Sequence, residues 1–372
     1  MNTPKHVYDN EGNIWDYDHL HPTDDSTLFQ RASISAAQFE QAGFRFQKRD
    51  DLPILNNVRG FHQSSHFVRT LIPHAAPDLA RCLPNLTKIH WIFSIMIPET
   101  MLDFEYYFNI TEYTPIEVDP LDVLANSYHS PRAHFEDRMA FVASLHNTRL
   151  PSLTEAEILF HRGDSFDENR EVFDSLTGNL KYDALSAGIR VFSQNLVTLI
   201  IEGQLDSALF WPSSHEAANA VLPTWPKLKH LNVKLNALTP SGEWYLGATR
   251  TMDGKRVRDF FNPATLNPVL AALGKAVSRM PELDYLILWG PNLGGPNHNN
   301  HIAYYAPGRD AEFGDQDPGD TAYRRIYYVC EVGTGWTPEP ETTEALKNAG
   351  KWKYGGEVIE RFPGPKYPRR KV

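Results

Sequence analysis

The chain is 372 residues long, 41% hydrophobic and 22% charged, with eight Trp, sixteen Tyr and twenty Phe, a composition that builds a core and excludes a mainly disordered protein. Its net charge of -10 disfavours non-specific attraction to nucleic acid or to an anionic membrane. Two cysteines, Cys82 and Cys330, are too few for a disulfide framework and fit a reducing compartment.

In chain order, the N-terminal residues lack the apolar run of a signal peptide, and residues 1–31 read as an irregular polar arm. The longest apolar stretch, Ile89 to Pro98, is about ten residues, too short to cross a bilayer. A cytoplasmic or nuclear location, with no membrane or nucleic-acid partner, is therefore expected. Residues 32–372 are then read as a single domain, because one phrase recurs along them: a turn, often with Pro, followed by Leu-x-x-Φ-x-Φ, where Φ is apolar. It stands at Leu83–Trp91, Leu150–Ile158, Ser193–Ile201, Trp225–Val233 and Met280–Leu288, with a weaker copy at Leu52–Val58. Proline ends the preceding element, because it lacks an N–H and disfavours helix at the residue before it. The first Leu enters the core at the corner, and the Φ-x-Φ alternation is that of a strand.

Helices are predicted ahead of several copies, over Ala75–Arg81, Ala184–Phe192 and Leu266–Arg279, the last with Asn262 or Asn267 as cap. Ser127–Asp137 reads as a loop before a helix ending near His146. Gly247–Pro263 reads as a polar excursion, and Gly290–Asn300 and Pro307–Asp320 as turn-rich loops. His301–Ala306 and Tyr323–Glu331 alternate as an antiparallel pair closing the sheet, with Glu339–Asn348 as a capping helix. Helix, turn and short buried strand in repetition predict an α/β fold: an irregular leucine-rich-repeat-like solenoid with a curved, mainly parallel sheet and helices on the convex side. The anchors Leu86, Leu153, Leu196, Leu228 and Leu283 stand 67, 43, 32 and 55 residues apart, however. An ordinary parallel α/β fold would give similar phrases, so that alternative stays open.

Four further phrases carry a resemblance. Leu205-Asp206-Ser207-Ala208-Leu209-Phe210-Trp211-Pro212 matches an "ELFWP" segment and Trp225-Pro226-Lys227-Leu228 a "WPxL" strand entry. Thr239-Pro240-Ser241-Gly242-Glu243-Trp244-Tyr245 matches a "PxGxWYF" turn, and Met280-Pro281-Glu282-Leu283 an "MPxL" corner. In this order, over about Leu196 to Tyr305, they resemble fungal F-box-associated proteins with degenerate leucine-rich repeats. That resemblance implies a substrate-receptor or scaffold role, which in F-box members runs through docking on a ubiquitin-ligase adaptor. This chain shows no "LPxE" run of the F-box type, and Leu52-Pro53 lacks the following acidic residue. Direct binding of the adaptor is not expected.

Fifteen histidines call for a test of chemistry. His298 and His301 lie on a Gly/Pro/Asn loop without the rigid frame a metal needs, and His19 and His21 sit in an acidic polar arm. His129 and His134 flank Pro131 in what reads as a loop. No nucleophile elbow, P-loop, dinucleotide fingerprint or H-E-x-x-H occurs. Cys82, at a helix-to-strand corner, reads as buried and inert. No cofactor, metal or catalytic residue is expected. Alternate strand positions line the sheet's concave face, where the candidate binding residues are His90, His161, His230, Asn232, Tyr285, Ile287 and Trp289. Such a mixture suits an unidentified protein partner. The expected function is a non-enzymatic protein–protein interaction scaffold; the alternative is a small-molecule binder or enzyme, for example of fungal secondary metabolism, reusing the same scaffold.

Overall fold

The computed structural model describes residues 13–14, 54–63, 73–95, 131–162, 175–216, 221–250, 256–291, 300–311, 320–329 and 338–362. The chain divides into two compact units, Met1–Asp164 and Ser165–Val372. The expected boundary near residue 31 and most of the stretch searched for an F-box lie outside the described residues.

The first unit contains β1 (Asn13–Ile14), β2 (Gly60–Gln63), α1 (Ala75–Ala80), β3 (Lys88–Ile95), α2 (Pro131–Asn147) and β4 (Glu155–Arg162). Its strands pair in chain order, all parallel. The second contains α3 (Ala184–Phe192), β5 (Thr198–Gly203), β6 (His230–Leu235), β7 (Leu246–Arg250), β8 (Arg256–Phe261), α4 (Pro263–Val277), β9 (Tyr285–Trp289), β10 (His301–Tyr305), β11 (Arg324–Val329), α5 (Pro340–Leu346), α6 (Lys351–Tyr354) and β12 (Val358–Arg361). Here β5, β6 and β9 run parallel, β9–β10–β11 are antiparallel, and β12 returns parallel to β11. The antiparallel pair and the helix after it stand where the alternation predicted them. Gly247–Pro263 differs from expectation: it holds most of the β7–β8 hairpin, whose charged residues, Arg250 and Arg256 among them, disguise the alternation.

The repeated phrase is one physical device. The anchor N–H donates to the carbonyl three residues back, Leu86 to Leu83 at 3.1 Å, Leu153 to Leu150 at 3.1 Å, Leu196 to Ser193 at 3.0 Å, Leu228 to Trp225 at 3.4 Å and Leu283 to Met280 at 3.2 Å. At most corners the next two N–H groups fork onto one carbonyl at the mouth of the neighbouring strand: Thr87 and Lys88 onto Arg59, Thr154 and Glu155 onto Thr87, Lys229 and His230 onto Val197, Asp284 and Tyr285 onto Lys229. Each strand starts two residues after its anchor. The weak first copy is displaced: β2 opens at Gly60, two residues after buried Val58, while Leu55, in the anchor place of the phrase, is half-buried and its N–H donates to the Cys82 carbonyl at 2.8 Å. The other anchors are all buried, which is why the position is apolar.

The sheet face beyond the anchors is equally apolar. Leu199, Leu231 and Leu286 are in register on β5, β6 and β9, and all three are buried. Leu266 and Leu270 of α4 meet Leu235, Leu288 and Ile302 on that side. In the first unit Phe141 of α2 packs edge-on against Trp91, Phe93 and Phe160. Caps fix the helix starts. Asp183 accepts from the N–H groups of Leu185 and Ser186 ahead of α3, and Asn262 from Ala264 ahead of α4. Asn267, the other candidate cap, instead donates to Glu339 at 2.7 Å. Two of the resemblance phrases meet in the core, where the Tyr245 hydroxyl donates to the Leu205 carbonyl.

Candidate functional site

In each unit helices pack on one face of the strands, and the opposite face carries the candidate residues. In the first unit His62, His90 and Glu157 lie side by side on β2, β3 and β4. The two imidazoles stack with centroids 4.2 Å apart, and His90 Nδ1 is 3.6 Å from Glu157 Oε2. Lys88 and Glu155 pair one rung away at 3.3 Å. Half-burial pushes the Glu157 carboxyl up, outweighing the opposing pull of Lys88 and His62. His161 occupies β4 opposite Ser94, and its side chain is outside the described residues. Among the described residues no group of three or more His, Cys, Asp or Glu could hold a metal ion.

In the second unit the open face has two halves. On β5 and β6, Thr198, Ile200, Glu202, His230 and Asn232 are half-buried and Lys234 is exposed. Glu202 and Lys234 pair across the strands at 3.0 Å. On β9 to β11 the same face is closed. Tyr285 is 5% exposed and Ile287 0%, so the expected outward aromatic at 285 is core. They join Ala303, Tyr305, Tyr327, Val329 and Ala311 in one cluster, with half-buried Trp289 packed at its edge. The cover is the chain after β10. It turns at Gly308 (φ 76°), where a left-handed backbone suits glycine, and lays Arg309 5.0 Å above the Tyr285 ring. Arg309 Nη1 also lies 3.2 Å from His230 Nε2. A guanidinium only donates, so Nε2 is the acceptor in this contact, while Nδ1 lies 3.4 Å from Thr198 Oγ1.

Period-two alternation therefore assigns the face of Tyr285, Ile287 and Trp289 correctly but not its solvent access. The signal for closure was present in HIAYY and RRIYYV, where apolar and aromatic residues occupy both parities. His301, read with His298 as part of a solvated loop, is buried in β10 against Trp289, with ring centroids 4.9 Å apart. Arg309 and Arg325 went unnoticed, because neither belongs to a motif. The cavity lined by Leu235, Phe261, Leu270, Leu288 and His301 is about 10 Å³, room for one water and not for a substrate. Cys82 is a half-buried free thiol whose burial raises its pKa, the reverse of nucleophile activation. No helix among the described residues is long and apolar enough to cross a membrane.

No family model, curated protein or solved structure matches the chain.

Proposed function

We propose that the chain is a protein-interaction scaffold of degenerate leucine-rich-repeat type, akin to the receptors of F-box ligases but not itself docking on the adaptor. One observation carries this reading. Two adjacent parallel strands, β5 and β6, present a row of half-buried, chemically mixed side chains on the face opposite the helices. Ile200 is an apolar centre, Asn232 and Thr198 offer hydrogen bonds, and the Glu202–Lys234 pair supplies charge at the rim. The recurrent corner supports the repeat reading, because a single turn geometry sets strand after strand parallel at unequal sequence spacing. Polar and apolar groups alternate across the face without converging on a reacting atom, which favours recognition over catalysis.

The test is cross-linking capture with wild-type chain and with Ile200→Arg/Asn232→Glu as parallel baits, both checked for unchanged melting. A partner held by the wild type and lost at least tenfold by the variant supports the reading, a change of about 1.4 kcal/mol. Identical captures from the two baits refute it.

A further inference from the structure

Arg325 is wholly buried in β11, on the covered face beside Tyr305. Its Nη2 donates to the carbonyls of Ala306, at 3.3 Å, and Arg309. Its Nε and Nη1 have no hydrogen-bond partner. Two other buried arginines of this unit, Arg190 and Arg324, show what satisfaction looks like. Arg190 pairs with both carboxylate oxygens of Glu216, and Arg324 donates to the carbonyls of Lys347, Ala349, Gly355 and Gly356. Arg325 has two carbonyls on one nitrogen and no carboxylate among the described residues.

A guanidinium cannot shed its proton to escape this position, and a buried charge without a counter-charge is strongly unfavourable. The surroundings increase the positive field. Arg309 lies over Tyr285, while Tyr305 has the Arg325 guanidinium 5.7 Å from its ring centre. Four carboxylates of this unit serve other cations, Asp284 with Lys353, Glu202 with Lys234, Asp320 with Arg361 and Glu360 with Lys347, and Asp310 in the cover is exposed. Two guanidiniums framed by tyrosine rings, in a chain whose net charge is -10, form a local anion site with flat apolar walls.

We propose that the covered face of β9–β11, between the strands and residues 306–311, opens to bind a carboxylate on a flat, apolar body, with Arg325 as its counter-charge and Arg309 as the second cation. This is independent of partner docking on β5 and β6. Arg309, at the edge of the cover, is half-buried. The source is either a small aromatic acid or the C-terminal carboxylate of a peptide ending in an aromatic residue.

The experiment is titration calorimetry and thermal melting of the full chain with benzoate, with a peptide ending in Phe, with the same peptide amidated, and with inorganic phosphate. Wild type should bind benzoate or the free-acid peptide and melt higher with it, while the amide does not bind. Benzoate binding points to a small acid; binding of the free-acid peptide alone points to a chain terminus. Arg309→Ala should weaken binding at least tenfold. Arg325→Met should abolish it and, without ligand, melt at or above wild type, because an unpaired buried charge is gone. Four results would each overturn the proposal: no binding by wild type at millimolar ligand, a preference for phosphate, undiminished binding by both variants, or a ligand-free Arg325→Met that melts well below wild type. The last would make the guanidinium structural.

Discussion

Leu231 on β6 sits between Leu199 and Leu286 in register and is 2% exposed. Leu231→Ala removes three carbons from that seam, about 2.4 kcal/mol at roughly 0.8 kcal/mol per methylene. The flanking strands are hydrogen-bonded to β6 on both sides and cannot close in, so a void remains. At about 24 cal/mol per Å³, a void of about 50 Å³ adds about 1.2 kcal/mol. The expected loss is thus about 3–4 kcal/mol, with Leu199→Ala and Leu286→Ala in the range of about 2–5 kcal/mol. Urea denaturation followed by circular dichroism gives the numbers, provided the slope m is unchanged. Leu199→Ala with Leu231→Ala should depart from additivity by about 0.5 kcal/mol or more, since the two side chains line the same gap. Losses below about 1 kcal/mol at all three sites would mean that the leucine seam is not the core, and with it the corner-anchored strand argument would fail.

Tyr285→Ala should cost about 3–5 kcal/mol, by analogy with other large aromatics truncated in a core, and lower the melting temperature. An unchanged melting curve would show that the ring is not buried under Arg309. Asp284 gives a pH signature. Burial pushes its carboxyl up, but the hydrogen bonds from Lys353 and Tyr354, with the charges of Lys353 and Lys229, prevail and hold it below the ordinary range. Its folded pKa is therefore the lower one, so its contribution is fully present above the unfolded value of about 3.9 and lost as pH falls through the folded value. The stability gap between wild type and Asp284→Asn should shrink on acidification from pH 5 to pH 2, and a gap constant over that window would refute the ion-pair account.

Much of the fold was legible because it is encoded locally. An apolar anchor, a tight turn and a strand two residues later need only a few consecutive side chains, and α3 spans the predicted Ala184–Phe192. Asp183 at the N-cap and the helical spacing of buried Leu185, Gly188 and Ile189 supply the reasons within two turns of helix. The β7–β8 hairpin was not legible, because its exposed residues are held by pairing to each other and carry no apolar alternation. In the candidate site, side-chain parity was legible and burial was not. Parity follows from backbone geometry, so Tyr285, Ile287 and Trp289 do share a face with His230 and Asn232 through the strand register. Burial depends on where a segment more than twenty positions away returns.

That return explains why the two halves of the face differ. Between parallel strands the connection must cross the sheet, and on β5, β6 and β9 the crossing is made on the leucine side, which leaves the other face open. Once β9 is followed by antiparallel β10 and β11, no crossing is required, and the link between them can fold onto the free face. There it meets Arg325, which donates to the carbonyls of Ala306 and Arg309. These bonds use one guanidinium nitrogen and leave Nε and Nη1 inside without partners. An arginine placed mid-strand among tyrosines, unremarkable in the sequence, thus comes to lie under the closed half with more donors than that half satisfies.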